Sequence, residues 1–365
     1  MTIPRPQSGE ARVVRVMLCD DSPTARSAMA RVLEADARLQ VVGRAGDGRQ
    51  MLDMLAALPP EQRPEVVLLD LEMPVMDGMT VLPLLLKTQP RPAVIVASAL
   101  TQRGAEAAMA AMRAGAVDYI PKPSAAGGGL RDPAFQAELL AKVKGWARMQ
   151  GRPVAARPAP PMLRRAGIKL RPKAVLIGCS TGGPQALAGF VRALRVPLPV
   201  PLVVVQHMPA GFTTMLADHL ARLGGPAAAE AREGEVLQPG RIYLAPGDRH
   251  LLVENVGGSL VAKLDSGPPE NFCRPAVDPT LRSLVAACEG RVTAVILTGM
   301  GSDGMLGCKA VAAAGGTVLA QDEASSVVWG MPGAVARAGL AQALLPPEQL
   351  AERVTGQFDP LGGTI

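Results

Sequence analysis

Short, wholly apolar runs recur along this chain, and each ends at a cluster of glycine and polar residues. Ala174-Val175-Leu176-Ile177 leads into Gly178-Cys179-Ser180-Thr181-Gly182, and Leu202-Val203-Val204-Val205 leads into Gln206-His207-Met208. Ala294-Val295-Ile296-Leu297 leads into Thr298-Gly299-Met300-Gly301-Ser302-Asp303-Gly304. Strand-length runs of this kind, alternating with stretches of helical period, specify an open parallel sheet covered by helices. Ligands of such sheets sit beyond the carboxyl ends of the strands. The polar residues that close the runs are therefore candidates for one shared site.

The same alternation fills residues 12–149, with strands expected at Val13–Leu18, Leu39–Gly43, Val66–Leu69, Ala93–Ala97 and Val117–Ile120. Helices are expected near 23–35, 47–58, 78–88, 104–114 and 133–149, an order that suits a flavodoxin-like sheet. Residues 150–172 are rich in proline and arginine and read as a semi-extended linker. From 173 to about 355 the alternation returns as a second doubly wound, Rossmann-like parallel domain. A turn-rich insert at 233–275 is expected to form short antiparallel strands, including Arg241–Ala245 and Leu251–Glu254 around the Gly257-Gly258 turn. Helices near 278–288 and 304–314 and strands at 292–298 and Thr317–Gln321 complete the pattern. The fold class is thus α/β, with two doubly wound parallel-sheet domains.

Composition narrows the function classes. Aromatic residues make up only 2%, which speaks against stacking platforms for nucleic acid. No apolar run approaches the ~20 residues of a membrane span, and the first residues lack the apolar core of a signal peptide. A cytoplasmic protein without direct membrane insertion is expected. The five scattered cysteines read as reduced small hydrophobes. The net charge of +6 is concentrated: residues 148–173 hold Arg148, Arg152, Arg157, Arg164, Arg165, Lys169, Arg171 and Lys173 and no acid. That stretch reads as a solvated tether, with a basic anion-binding arm as the alternative. A DNA-binding output would need a helix-turn-helix, and the chain after the linker alternates strand and helix instead.

In the first half, strand ends bring together Asp20, Asp21, Asp70, Ser98 and Lys122. Crowded carboxylates repel unless a cation neutralises them, and hard oxygen ligands favour Mg²⁺. A carboxylate can then attack a phosphoryl group whose oxygens a metal, a lysine and a hydroxyl stabilise. These residues, with Val66-Val67-Leu68-Leu69-Asp70-Leu71-Glu72-Met73-Pro74-Val75-Met76-Asp77-Gly78, resemble the response-regulator receiver family over about residues 12–149. The resemblance implies phosphorylation of Asp70 and an acidic pocket of Asp20 and Asp21. It further implies Mg²⁺ held by Asp21, Asp70 and the Glu72 carbonyl, with Ser98 as switch hydroxyl, Tyr119 as rotating aromatic and Lys122 as phosphoryl contact.

In the second half, Gly178–Gly182 fits the G-x-S-x-G nucleophile elbow. A serine needs an imidazole base held in the right tautomer by a carboxylate. Of three histidines, His219 falls in a helical stretch and His250 at an insert turn, which leaves His207 as base and Asp303 as acid. Cys179 is the alternative nucleophile, although adjacent side chains on such a turn point apart. Gly182-Gly183-Pro184 reads as a helix opening whose amides can stabilise an oxyanion. The order Ser, His, Asp differs from that of ordinary α/β-hydrolases.

The blocks Ile177–Pro184, Gln206-His207-Met208-Pro209, Ala245-Pro246-Gly247-Asp248, Arg274-Pro275-Ala276-Val277-Asp278 and Leu297–Gly304 resemble the methylesterase domain of the CheB family, the bacterial chemotaxis receptor methylesterases. This resemblance covers about residues 173–350. It implies Ser180 as nucleophile, His207 as base and Asp303 as orienting acid, with Thr181 and Met300 lining the site. It also implies methyl-accepting chemoreceptors as substrate, a chemotaxis histidine kinase as phosphodonor, deamidation of receptor glutamines, and no cofactor at the esterase site. Ala276 stands where family members often have serine. Arg274 is left between an acidic substrate surface and a salt bridge within the insert.

Overall fold

The computed structural model describes residues 12–123, 129–150, 163–164, 171–194 and 198–358. The chain forms two compact units, each built on its own parallel sheet. Between residues 12 and 150 the elements in chain order are β1 (Val14–Cys19), α1 (Pro23–Glu34), β2 (Leu39–Ala45), α2 (Gly48–Ala57), β3 (Val66–Asp70), α3 (Gly78–Leu85), β4 (Ala93–Ala99), α4 (Gln102–Ala114), β5 (Asp118–Lys122) and α5 (Pro133–Gln150). Strand order is β2-β1-β3-β4-β5, and every pairing is parallel. The order reverses between β1 and β3, which makes their carboxyl ends a topological switch point.

Local chemistry sets the helix starts. The Ser22 hydroxyl accepts the Ala25 amide, with Pro23 in the first turn of α1, and the Asp47 and Asp77 carboxylates cap α2 and α3. Gly78 is required where α3 begins, because a Cβ there would lie 2.2 Å from the Asp70 carbonyl oxygen. Beneath β5, the Lys142 ammonium of α5 lies 3.0 Å from Asp118, and Trp146 Nε1 donates to the same carboxylate at 3.0 Å.

The second unit contains β6 (Ala174–Cys179), α6 (Gly183–Ala193), β7 (Leu202–Gln206), α7 (Phe212–Ala221), β8 (Ala227–Glu230), β9 (Arg241–Leu244), β10 (His250–Val256) and β11 (Ser259–Asp265). It continues with α8 (Val277–Ala287), β12 (Val292–Ile296), α9 (Met305–Ala313), β13 (Thr317–Gln321), α10 (Met331–Arg337), β14 (Ala343–Leu345) and α11 (Pro347–Thr355). The seven-stranded sheet runs β14-β13-β12-β6-β7-β9-β8, all parallel, so β6 is central and the order reverses between β6 and β12.

One expectation is corrected here. Arg241–Leu244 is not part of an antiparallel insert; it joins the main sheet between β7 and the unforeseen β8. Ile242, Tyr243 and Leu244 are buried in succession, which suits a strand covered on both faces rather than an alternating hairpin strand. The antiparallel element is the β10–β11 hairpin alone, paired from His250↔Asp265 to Val256↔Ser259 around Gly257 and Gly258.

Most of the linker, 151–162 and 165–170, lies outside the described residues. Arg164 departs from a solvated tether. Its amide donates to the Ala341 carbonyl at 2.8 Å, and its guanidinium donates to Ala312 at 2.7 Å and Gly316 at 3.3 Å. It thus neutralises exposed carbonyls where α9 ends. Among the described residues, no helix is long and apolar enough to cross a membrane.

Candidate functional site

Ser180 follows β6, His207 follows β7, and Asp303 lies beyond β12, so three neighbouring central strands deliver all three to one sheet edge. The backbone locks these ends together: the Ser180 amide donates to Thr298 at 3.0 Å and the His207 amide donates to Cys179 at 3.1 Å. Gln206 Nε2 donates to the Ser180 carbonyl at 3.0 Å. Gly299 lets the β12 loop press against the nucleophile, since a Cβ there would meet Ser180 Cβ at 2.9 Å and its amide nitrogen at 3.0 Å. As the sequence suggested, α6 opens at Gly183 with Pro184 in its first turn.

His207 and Asp303 are joined at 2.7 Å from Nε2 to Oδ2. Asp303 is buried and receives further bonds from the amides of Val277 (2.7 Å), Asp278 (3.1 Å) and Gly304 (2.8 Å). Burial works to raise its pKa, but the imidazole and these amides hold the carboxyl below its ordinary value. For His207, burial works against the charged form, yet Asp303 and Cys273 hold the imidazolium up to about 10. With Nε2 committed to Asp303, the basic nitrogen is Nδ1, and Cys273 Sγ lies 3.4 Å from it. Among the described residues the half-buried Ser180 makes no hydrogen bond to His207. The imidazole and the carboxylate are therefore engaged with each other, and Ser180 follows the adjoining strand β6.

Two supports of this site, Asn271 and Cys273, escaped sequence reasoning. Asn271 Nδ2 bridges Asp303 Oδ1 at 2.9 Å and Asp278 Oδ2 at 3.0 Å. Asp278 also accepts the Gly307 amide at 2.6 Å; burial and the charge of Asp303 raise its carboxyl to about 6. Cys273 is the second. Asn271 and Cys273 belong to a tight turn, Glu270–Cys273, immediately before the Arg274-Pro275 block that drew attention. A turn of this kind carries no periodicity, and only the fold reveals which strand ends it faces.

The remaining candidates resolve without catalytic roles. Cys179 is buried, its thiol pushed up by burial and set against the Val205 carbonyl, so it does not compete as nucleophile. His250 is not in a turn but begins β10, buried, with Nε2 on the Pro268 carbonyl and Nδ1 receiving the Ala276 amide. His219 lies partly buried on α7. Arg274 forms the internal salt bridge, 2.6 Å from Asp248, and also holds the carbonyls of Ser266 and Gly267. Thr181 is buried, its carbonyl receiving the Thr298 hydroxyl, while Met300 is exposed.

In the first unit, oxygens of Asp20, Asp21 and Asp70 lie within 4.8 Å of one another at the switch point. Lys122 reaches over from β5, 2.8 Å from Asp20 and 2.6 Å from Asp70. Burial raises the Asp70 pKa, and the ammonium opposes that rise. The Ser98 hydroxyl is buried without a hydrogen-bond partner among the described residues. The Tyr119 ring is buried, with the Lys142 ammonium 4.9 Å above it. Glu72 is exposed, and its amide points to Asp70 Oδ1 at 3.4 Å.

Comparison with known proteins follows the same division. The profile of the CheB methylesterase family matches residues 175–354, and that of the response regulator receiver domain matches residues 16–128. The chain is 47% identical to protein-glutamate methylesterase/protein-glutamine glutaminase 1 of Paramagnetospirillum magneticum, across 93% of this chain and 94% of that protein. A relative of the same activity name from Azospirillum brasilense is 46% identical across 92% and 91%. Among solved structures, the Thermotoga maritima CheB methylesterase catalytic domain matches at 42% identity and a TM-score of 0.50, covering 51% of this chain and 98% of that domain.

Proposed function

Because the chain belongs to the CheB methylesterase family and carries a receiver domain ahead of its methylesterase domain, we propose that it removes methyl groups from glutamyl methyl esters of chemoreceptors under control of phosphorylation at Asp70. The observation that carries this reading is the buried His207–Asp303 pair at 2.7 Å beside the Ser180 elbow. The Ser180 hydroxyl attacks the ester carbonyl while His207 takes its proton. Helix-opening amides at the start of α6 stabilise the oxyanion. The proton then passes to the departing oxygen, methanol leaves, and water hydrolyses the acyl-enzyme by the same relay. A glutamine amide in place of the ester releases ammonia, which gives the deamidase activity named in the relatives. Asp303, fixed by backbone amides, keeps the imidazole in one tautomer throughout. No cofactor is required at this site.

At the receiver, the chemistry of the donor set fits Mg²⁺: three clustered carboxylates, with an orphaned buried hydroxyl nearby. Asp20, Asp21, Asp70 and the Glu72 carbonyl would hold the ion, which when bound neutralises charge on the phosphoryl oxygens. Asp70 accepts the phosphoryl group from a chemotaxis histidine kinase. Lys122, already at Asp70, contacts it, and Ser98 gains the partner it lacks. Tyr119 follows that change. A cytoplasmic location accords with such a kinase as donor.

The test is methanol release from a methylated chemoreceptor cytoplasmic fragment, with Mg²⁺ and a small phosphodonor present. Release well above that of Ser180→Ala is expected. Release equal to that of the variant overturns the reading.

A further inference from the structure

We infer that Phe272 is the contact by which this site grips a protein-borne substrate, its ring packing on an apolar side chain adjacent to the reacting glutamyl group. The inference rests on the methylesterase reading and adds the residue that makes a polypeptide preferable to a free ester.

Phe272 is 102% exposed, and it stands in the left-handed region with φ 61°, directly after Asn271 at φ 53°. A bulky residue at positive φ is a strained choice where glycine would serve. Such strain persists where the surroundings enforce it, and it concentrates at functional sites. Here the enforcement is complete. The turn is closed in both directions between Glu270 and Cys273, at 3.1 Å and 2.9 Å. Glu270 is held by both guanidinium nitrogens of Arg282 at 2.7 Å. Asn271 is bonded to Asp303 and Cys273 faces His207. The backbone that presents the ring to water is thus held between the residue bonded to Asp303 and the residue that faces His207.

From residue 171 onward, five large hydrophobic residues are exposed among the described residues: Val236, Val256, Phe272, Met300 and Leu306. Met300 and Leu306 each lie three positions from Asp303. Met300 stands on the same loop after β12 as Asp303, so that loop also carries an exposed apolar side chain. A free glutamyl ester reaches Ser180 with nothing to lay against the ring, whereas a polypeptide brings neighbouring side chains. The uncharged ring selects apolar neighbours.

The experiment compares full-length wild type with Phe272→Ala, Phe272→Leu and Phe272→Gly on two substrates, methylated receptor fragment and p-nitrophenyl acetate. Phe272→Ala should lose about tenfold in kcat/KM on the receptor fragment, mostly through KM, and stay within about twofold on the small ester. Phe272→Leu should keep most of the receptor activity. Phe272→Gly should show the same receptor loss while its melting temperature rises by a few degrees through relief of strain. Unchanged receptor kinetics in Phe272→Ala, or equal losses on both substrates, would overturn the inference while leaving the esterase reading intact. If wild type releases no methanol from receptor yet cleaves p-nitrophenyl acetate, the esterase reading falls and this one with it.

Discussion

Ser180 and Cys273 both border His207, and their chemistry separates them. Ser180→Ala should abolish ester hydrolysis with the fold intact, and circular dichroism beside methanol release checks both halves. On the proposed mechanism Cys273→Ala should retain turnover, because Ser180 would supply the attacking oxygen and the thiol only lies 3.4 Å from Nδ1. Loss of activity in Cys273→Ala, with retention in Ser180→Ala, would exchange their roles. The pH profile follows from the raised imidazolium. Catalysis needs the neutral ring, so kcat/KM should climb with pH from the ordinary histidine range near 6.5 towards about 10. The same raised value means that the His207–Asp303 pair stabilises the fold fully below about 6.5 and progressively less as pH rises through about 10. Asp303→Asn should shift the rate profile to lower pH, because burial is then opposed by Cys273 without the carboxylate, and cut the maximum on the order of 10⁴-fold. A profile left in place would remove Asp303 as the source of the shift. Ser180, His207 and Asp303 were legible because each closes an apolar run. Asn271 and Cys273 were not, since a side chain that acts through another residue leaves no spacing rule in the sequence.

At the level of elements, the β12 loop and α5 carry separate predictions. Gly299→Ala should displace Ser180, because the new methyl would stand 2.4 Å from Met331 Sδ and 2.9 Å from Ser180 Cβ. A shift of about 1 Å costs on the order of 10²-fold in rate, so kcat should fall far more than thermal stability; an unchanged kcat would show that the loop does not position the serine. In the first unit, Lys142→Met leaves the buried Asp118 carboxylate without its ammonium. It should destabilise that unit by about 3–5 kcal/mol in chemical denaturation, with Asp118→Asn restoring part of the loss. The strands that hold both sites were readable to within two residues from hydrophobicity alone. β8 was missed and β9 was misassigned, because β8 is only Ala227–Glu230 and β9 follows turn signals that equally announce a hairpin. Pairing partner, unlike strand character, is set by what lies next to the segment in space.

For the molecule as a whole, the prediction concerns control. Phosphodonor with Mg²⁺ should raise methanol release by the full chain several-fold to about a hundred-fold, the range of a ~1–3 kcal/mol coupling. Asp70→Ala should stay at the basal rate under the same conditions. A wild-type rate indifferent to donor would assign the receiver a task other than switching. The two-part organisation was plain from the sequence, since proline and arginine interrupt an otherwise regular alternation. The place of Arg164 was not, because carbonyl partners beyond residue 300 are invisible to charge patterning.

That arginine gives limited proteolysis an unequal outcome. Trypsin acting after Arg157 releases a C-terminal piece that keeps Arg164 seated on Ala312, Gly316 and Ala341. A cut after Arg165 leaves the same arginine on the other piece, free to depart and uncover the end of α9. The shorter product should therefore be digested further while the longer one accumulates, so the edge of the durable catalytic fragment falls well inside what the residue composition alone marks as linker.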